Sequence, residues 1–537
     1  MRGVRKVGYK ASDKNMDRTL RVLLIDLGST RKEINEPIGI CAVASYVKKY
    51  VSYSIDIELK FLPISKLPTQ PELASFDVVG LSTKIGSLNK IHQINNDILE
   101  LPLEFRPFLV FGDLIATFAT KNILKIFNHA ICVVGEGEVC FLKLLDAIQE
   151  SIRLKIHLSE ILLKREIPNL AFIAGDKYIQ NKSKLVDLST CPSPQRTFAK
   201  EVSAVGGIIR GEGSRGCAWG RCSFCAIQHK YCNETRWRPI AIERIIDELE
   251  TFSSLGINSP FYTDEDFIGN DPIRAIELSK SILHAKKIGN IDNKLSLYVD
   301  MRVDSILSRS HNRNPSGKDV LISLKAAGLR EVFIGIESGA KEQVKRYKKA
   351  STAQRNILVL DLLREVGVTF DIGFIMFDPE MSVNEILVNI EFLSNTGLNY
   401  HDARMTKSLR IEPGTPIVKE YIAKDMLVGD MDIDQLVYPY RWNNSDTQEV
   451  YERFSEWEQE YSDDVYTIQA ATRGEIESEL LRKEWRVGLG EIRAIEIQAL
   501  NYIAMQLNKR SQISKYVLLE FQECRYNKIL HMLKMIN

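Results

Sequence analysis

The sequence lacks any run of about 18 apolar residues, the length that a membrane-spanning helix requires. It also lacks an excess of basic charge, since 71 lysines and arginines stand against 70 aspartates and glutamates, giving a formal net charge of +1. These absences argue against a membrane span and against a dedicated nucleic-acid-binding protein. Residues 1–19 are basic and polar without the apolar core of a secretory signal. They predict a flexible basic arm and a cytoplasmic protein.

The composition is that of a globular chain with more than one domain. Its 537 residues are 45% hydrophobic and 26% charged, and a chain of this length divides into two or three domains. Nine cysteines are present, and four of them fall within residues 217–232. An odd, clustered set without a secretory signal indicates a reducing compartment and a metal site instead of disulfides.

Residues 20–152 alternate between strand-like apolar runs and helical patterns. Strands are expected at Arg21–Leu27, Phe76–Leu81, Phe108–Phe111 and Ala130–Val134, and helices at about 37–50, 87–100, 115–127 and 138–152. This alternation predicts an α/β domain with a doubly wound parallel sheet, which binds ligands at the carboxyl ends of its strands. Glycines 80, 112, 135 and 137 are expected in the loops of that edge, although turn formation alone explains them equally well.

The rest of the chain divides into three regions. Residues 153–200 predict a hairpin around Gly175-Asp176 and then a proline-rich linker. Residues 201–416 resume the alternation, with strands expected near 207–212, 259–264, 294–300, 330–336, 368–377 and 405–412. Six strand–helix units are consistent with a partial (βα)6 barrel, whose chemistry takes place at the carboxyl-end face. Residues 417–537 predict a helical C-terminal domain.

Three cysteines lie within nine residues of a glycine-rich loop after a strand: Cys217, Cys222 and Cys225. Cysteine thiolates are the usual ligands of iron–sulfur clusters, so a [4Fe–4S] cluster is the leading interpretation. A structural zinc site would need a fourth ligand, which Cys232 or His229 could supply. Zinc therefore stays open on the spacing alone, as does a purely structural set of cysteines.

The loop resembles that of the radical S-adenosylmethionine (SAM) superfamily, whose pattern is CxxxCxxC with an aromatic residue before the last cysteine. Phe224 occupies the aromatic position, but four residues instead of three separate Cys217 from Cys222. The resemblance implies that the cysteines hold three irons and leave the fourth open for SAM. Reduction of the cluster would then cleave SAM and yield a 5′-deoxyadenosyl radical.

Five further segments match this family in order: Tyr262–Phe267, Val299–Asp304, Phe333–Gly339, Gly373–Glu380 and Pro413–Thr415. The resemblance implies SAM contacts at Phe224, Asp264, Asp266, Arg302, Glu337 and Ser338. Capping of a helix N-terminus explains the two aspartates equally well. The resemblance implies that Gly373–Glu380 lies against the adenine of SAM, although relatives commonly carry glycines where this chain has Phe377 and Met381.

Residues 20–152 resemble the cobalamin-binding domain that precedes many radical SAM domains, through Glu36–Ile40, Val110–Phe118 and Val133–Glu138. The resemblance implies cobalamin contacts at Gly39, Gly80, Gly112, Thr117, Gly135, Glu136 and Gly137. Small residues allow the backbone to approach a corrin ring closely. The D-x-H-x-x-G motif, whose histidine ligates cobalt in some relatives, is absent, because Asp26–Asn35 contains no histidine. A vestigial domain is therefore the alternative.

These resemblances imply a radical SAM enzyme that attacks an unactivated carbon of a small-molecule or natural-product-like substrate. With cobalamin bound, the implied reaction is C-methylation, and the implied partner is an electron donor such as flavodoxin or ferredoxin. A radical rearrangement, cyclisation or methylthiolation without methylcobalamin is the first alternative. A non-catalytic iron–sulfur or zinc protein is the second.

Overall fold

The computed structural model describes residues 18–29, 33–232, 237–307, 315–473 and 479–536. The predicted basic arm lies outside these residues, apart from its last two positions. The chain forms two compact units. The first comprises the described parts of Met1–Val205, Ala226–Glu234 and Met431–Val437, and the second comprises those of Gly206–Cys225, Thr235–Asp430 and Tyr438–Asn537.

The first unit contains a seven-stranded sheet in the order β2-β1-β3-β4-β5-β6-β7. Its strands are β1 Leu20–Asp26, β2 Ile55–Phe61, β3 Val78–Ser82, β4 Phe108–Gly112, β5 Ile131–Val133, β6 Leu170–Ala174 and β7 Lys177–Gln180. The first five are parallel, and β6 and β7 form the predicted hairpin, which extends the sheet in antiparallel pairing. The strand order reverses between β1 and β3, so this is where a doubly wound sheet binds ligands.

The helices of this unit are α1 Ile38–Tyr50, α2 Gln70–Ala74, α3 Leu88–Glu100, α4 Asp113–Phe118, α5 Thr120–Ile126, α6 Glu138–Leu154, α7 Leu158–Lys164, α8 Ala199–Ala204 and α9 Ile227–Lys230, with 3-10 turns at Leu103–Phe105 and Leu188–Thr190. Helix α6 buries Phe141, Leu144, Leu145 and Ile148 because apolar residues at this spacing share one face. The single helix expected over 115–127 is two helices, since Ala119 leaves helical geometry with φ −124° and ψ 27°.

The second unit contains a five-stranded sheet in the order β14-β13-β12-β11-β8, and all its paired strands are parallel. Its strands are β8 Arg210–Gly211, β11 Phe261–Tyr262, β12 Leu297–Met301, β13 Leu329–Glu337 and β14 Thr369–Phe374, and β9 Ser214–Arg215 pairs separately with β10 Arg238–Pro239. The sixth strand expected at 405–412 is reduced to a parallel bridge between Phe377 and Ser408. The segment around Ser408 is thus parallel to the residues that follow β14, but it does not form a regular strand.

The helices of the second unit are α10 Ile242–Ser254, α11 Pro272–Lys287, α12 Val303–Ile306, α13 Gly317–Ala327, α14 Lys341–Arg346, α15 Ala353–Val366, α16 Val383–Asn395, α17 Pro416–Ala423, α18 Ser445–Gln459, α19 Ser462–Arg473, α20 Glu479–Asn508 and α21 Lys515–Ile536, with a 3-10 turn at Leu398–Tyr400. The last four helices form the predicted helical C-terminal region. In the described part of the chain, no helix combines the length and apolarity that a membrane crossing needs.

Helix α20 packs against the amino ends of the strands. Arg486 donates to Glu331 near the start of β13 at 2.7 Å and to Asp402 at 2.9 Å. One turn earlier, Arg482 donates to the hydroxyl of Tyr298 at 3.4 Å, near the start of β12. Helix α20 therefore contacts the end of the sheet opposite to the carboxyl edge, where the chemistry of such barrels takes place.

Candidate active site at the cysteine loop

The three cysteines lie in the loop that follows β9, and each of them is partly exposed. The loop turns sharply at Gly216, with φ +90°, and at Gly220, with φ +56°, backbone conformations that favour glycine. The Gly220 N–H lies 3.4 Å from Sγ of Cys217 and donates to it. The sequence places all three thiols in one short segment, and the glycines give that segment its curvature.

Acidic residues at the end of β11 hold the start of the loop. Oδ2 of Asp264 accepts the Gly213 N–H at 2.9 Å, and Oδ1 accepts the hydroxyl of Ser214. Oε2 of Glu265 accepts the Gly216 N–H at 2.9 Å. Burial raises the pKa of Asp264 to about 8, against the lowering effect of the Ser214 and Gly213 hydrogen bonds. Both carboxyl oxygens of Asp264 are thus engaged by the chain, which gives this residue a positioning role, while its contact with SAM stays a prediction.

Arg302 connects the first cysteine to two acidic residues. Its Nη1 lies 3.4 Å from Sγ of Cys217 and 3.4 Å from Oδ2 of Asp266, and its Nε lies 3.1 Å from Asp304. Burial raises the pKa of Asp266 to about 7, and the charge of Arg302 opposes that rise. A cation therefore lies beside the Cys217 thiol, where it would stabilise a thiolate.

A segment after α14, Arg346–Lys349, supports the loop from another direction. The Ser223 N–H donates to the Tyr347 carbonyl at 2.9 Å, and the Ser223 hydroxyl donates to the Arg346 carbonyl at 2.8 Å. The indole N–H of Trp219 donates to the Lys348 carbonyl at 3.0 Å. Phe224, predicted to contact SAM, meets the ring of Tyr347 edge-on, with centroids 5.1 Å apart. Three successive carbonyls thus fix the loop between its cysteines.

Glu337 ends β13 in an unusual backbone conformation, with φ +65°, where the β13–β14 register shifts. Its Oε1 accepts a hydrogen bond from Nζ of Lys349 at 2.7 Å. Burial raises the pKa of Cys222 to about 11, while the charge of Lys349 lowers it and that of Glu337 raises it. The structure therefore brings Glu337 close to the second cysteine together with a lysine that the sequence interpretation did not single out.

Ser338, the next predicted SAM residue, is fully buried and donates to Oδ1 of Asn389 at 2.9 Å. The sequence interpretation also missed the whole Arg346–Lys349 segment. Its residues belong to a basic run, KRYKK, which is usually the mark of a solvated surface. Nothing in that run distinguishes Lys349 from its exposed neighbours, so only its place behind the loop marks it as part of the site.

The surroundings of the three thiols fit an anionic cluster. Across the described ranges, no three histidine, cysteine, aspartate or glutamate side chains are arranged to hold one ion. An iron–sulfur cube binds each cysteine through a different iron, so its ligand sulfurs stay apart. Three partly exposed thiols in one loop, with Arg302 and Lys349 nearby, fit an anionic cluster of this kind.

In the first unit, the predicted cobalamin residues fall into different environments. Gly39 and Gly112 face space in which an added Cβ would meet no atom within 4 Å. Gly80 was expected in a loop but lies in the middle of β3, where a Cβ would approach Leu24 Cδ2 to 2.6 Å. Its lack of a side chain therefore serves sheet packing. The two open glycines give the carboxyl edge the access that a large planar ligand requires.

Hydrogen bonds within the unit hold the other predicted positions. The hydroxyl of Thr117 accepts the Gly135 N–H at 3.0 Å, and Oε2 of Glu136 accepts the Val186 N–H at 2.7 Å. A Cβ on Gly137 would lie 3.3 Å from Val43, so that glycine permits close packing. Direct cobalamin contacts at these positions stay predictions.

The reversal of strand order carries a polar cluster at the ends of β1, β3 and β4. The carboxylate of Asp26 is buried and pairs with Nζ of Lys84 at 2.6 Å. The hydroxyl of Ser82 donates to Asp113 at 2.7 Å. Asp113 has φ +73°, a left-handed backbone conformation that is uncommon for residues other than glycine. The edge is thus polar and partly open, which suits a ligand with hydrogen-bonding side chains.

Comparisons with known proteins agree with this architecture. Residues 212–393 match the model of the Radical SAM superfamily. The 4′-phospho-dehydrooxetanocin synthase of Priestia megaterium is 26% identical over 333 residues, which are 60% of this chain and 43% of the synthase. The chain thus matches less than half of that relative's length.

Two solved structures resemble nearly the whole chain. The cobalamin-dependent SAM radical enzyme OxsB, solved with aqua-cobalamin bound, has a TM-score of 0.77 at 20% identity, covering 96% of this chain and 80% of that one. The radical SAM methyltransferase TsrM of Kitasatospora setae, solved with cobalamin and a [4Fe–4S] cluster, has a TM-score of 0.67 at 16% identity, covering 92% and 100%. Residues 212–393 therefore form a radical SAM domain, and the chain as a whole has the fold of the cobalamin-dependent radical SAM enzymes OxsB and TsrM.

Proposed function

We propose that this chain is a cobalamin-dependent radical SAM enzyme that methylates an unactivated carbon of a small-molecule or natural-product-like substrate. The observation that carries the proposal is the cysteine loop, where Arg302 lies beside Cys217, the charge of Lys349 acts on Cys222, and hydrogen bonds from Trp219 and Ser223 fix the backbone. A purely structural loop would not need two cations facing its thiols. A site for an anionic cluster does, because the cluster and its thiolates carry net negative charge.

When bound, the cluster and SAM supply a 5′-deoxyadenosyl radical, and cobalamin supplies a route for methyl transfer. Cys217, Cys222 and Cys225 would hold the cluster. Asp264 and Glu265 keep the loop in place through Gly213 and Gly216. An external electron donor, such as a flavodoxin or ferredoxin, is the partner that the chemistry needs, and a reducing cytoplasm suits a chain whose cysteines stay reduced.

The first unit supplies the support for cobalamin. Its carboxyl edge is open at Gly39 and Gly112, and Asp26, Lys84, Ser82 and Asp113 place hydrogen-bonding groups at the reversal of strand order. The loop of Asp26–Asn35 offers no histidine, so binding would depend on this edge instead of on a histidine ligand to cobalt. The name of TsrM as a methyltransferase with bound cobalamin supports the same reading.

The test is product analysis of the reconstituted protein incubated with SAM and a strong reductant. We expect release of 5′-deoxyadenosine, together with S-adenosylhomocysteine whose formation depends on added cobalamin. Liquid chromatography with mass spectrometry measures both products. A protein with a full complement of iron and sulfide that releases no 5′-deoxyadenosine would contradict radical chemistry.

The second candidate function is radical chemistry without methyl transfer. It is favoured by the relative named as 4′-phospho-dehydrooxetanocin synthase, a synthase and not a methylase. The same product analysis separates the two outcomes. Release of 5′-deoxyadenosine without cobalamin-dependent S-adenosylhomocysteine indicates rearrangement or cyclisation.

A further inference from the structure

Lys349 and Glu337 form an ion pair beside the cysteine loop, at the carboxyl edge of the second unit. Nζ of Lys349 lies 2.7 Å from Oε1 of Glu337, and the two side chains are only 12% and 14% exposed. The pair lies over Gly335, where an added Cβ would come within 2.7 Å of Nζ and 2.5 Å of Oε1. The glycine therefore leaves room for a charge pair between β13 and the loop.

The backbone around this pair departs from regular strand geometry. Glu337 has φ +65°, and the β13–β14 register shifts between Gly335 and Glu337. Positive φ at a non-glycine residue costs free energy of order 1–3 kcal/mol, and such residues cluster at functional sites. A regular strand would turn the Glu337 side chain elsewhere, so the irregularity serves the placement of its carboxylate.

The two charges act on the same sulfur with opposite sign. Ser223, the neighbour of Cys222, donates to the carbonyls of Arg346 and Tyr347, so Lys349 and its partner Glu337 lie on the side of that cysteine. The ammonium lowers the pKa of Cys222, and the carboxylate raises it. Hydrogen bonds from Ser223 and Trp219 fix the backbone of residues 346–348, which directly precede Lys349. The distance between the lysine and the loop is thus set by the chain and not by a flexible surface contact.

We propose that Lys349 and Glu337 are positioning residues that set the reduction potential of the cluster from opposite directions, an inference that rests on the proposed function. One electron from the external donor adds one negative charge to the cluster. A cation nearby stabilises the reduced form, and an anion destabilises it. The effect is strong because both groups are largely shielded from water.

The test is a redox titration of the reconstituted cluster without SAM, followed by electron paramagnetic resonance. Lys349→Met is expected to shift the midpoint potential to a more negative value, and Glu337→Gln to a less negative one. The double variant should return close to the wild-type potential. Lys345→Met and Glu342→Gln remove the same charges from exposed positions of α14 and should leave the potential unchanged.

Opposite shifts are a readout that a merely structural role would not produce. Shifts of the same sign, or unchanged potentials in variants with full iron content, would overturn the proposal. Should Lys349→Met fail to assemble a cluster, Lys349→Arg at the wild-type potential together with a raised potential in Glu337→Gln supports it, and an unchanged Glu337→Gln rejects it. A wild-type protein that binds no cluster would instead refute the proposed function, so the two failures are distinct.

Discussion

The carboxyl edges of the parallel strands are built differently in the two units. In the second unit, Asp264, Glu265, Arg302 and the Arg346–Lys349 segment all direct hydrogen bonds or charge at one short loop. In the first unit, Asp26, Lys84, Ser82 and Asp113 bond to one another at the ends of three strands. One edge is organised around a segment that is contiguous in sequence. The other edge is built from residues of three strands that are distant in sequence, so no single motif identifies it.

The sharpest way to separate the two edges is Cys222→Ala. We expect bound iron to fall from about four atoms per chain to near zero, because a cluster needs all three thiolates. Retention of hydroxocobalamin after desalting should not change, since the first unit's edge contains no part of the loop. Iron analysis and absorbance spectra measure the two properties. Cys524→Ala, at an exposed position of α21, is the matched control and should keep its iron. Loss of cobalamin together with iron would show that the edges are not independent.

The carboxyl edge of the second unit also contains a buried aspartate, Asp264, whose pKa makes stability depend on pH. The pKa of Asp264 is raised to about 8 by burial, from an ordinary value of 3.8. The folded state then keeps a proton that the unfolded state releases, so this contribution to stability is complete below about pH 4 and is lost as the pH rises through 8.

The difference in free energy of unfolding between wild type and Asp264→Asn should therefore depend on pH. The advantage of wild type over the variant should decrease between pH 5 and 8, by at most about 1.4 kcal/mol per pH unit. Melting temperatures of both proteins across that range measure it, and the exposed Asp361→Asn serves as the control. An advantage that grows with pH would contradict a raised pKa.

The smallest expected effect is a difference in stability within the first unit, between a substitution at the tightly packed Gly80 and one at the open Gly112. Gly80→Ala places a Cβ 2.6 Å from Leu24 and should cost about 1–3 kcal/mol of stability. Gly112→Ala meets no atom within 4 Å and has extended backbone, so stability should change by less than about 0.5 kcal/mol. Hydrogen exchange of the β1 and β3 amides measures both.

Cobalamin retention should show the reverse order, with a several-fold loss for Gly112→Ala and little change for Gly80→Ala once the protein is folded. Equal retention in the two variants would remove Gly112 from the proposed cobalamin edge. Because both substitutions add one methyl group, each is the control for the other.

Elements that are buried on both faces were predicted well from the sequence. Strands β1, β3, β4 and β5 begin and end within two residues of the expected ranges, because central parallel strands are continuous apolar runs. The edge strand β2 was missed, since Ile55–Phe61 is largely half-exposed and its charged residues interrupt the apolar pattern. Strands β8 and β11 are only two residues long, although six residues were expected in each, because the chain leaves the sheet as soon as it reaches the site.

By itself, the sequence determined the order of the strand–helix units and the three cysteines, because apolar periodicity and ligand spacing are local properties. Tertiary structure alone decided which charges face those cysteines. Lys349 is twelve residues from Glu337, and both are more than a hundred residues from Cys222. They meet because parallel strands end at one edge and the loop packs against the residues after α14. Local sequence patterns do not predict this tertiary contact, because a buried lysine and an exposed lysine cannot be distinguished within a basic run.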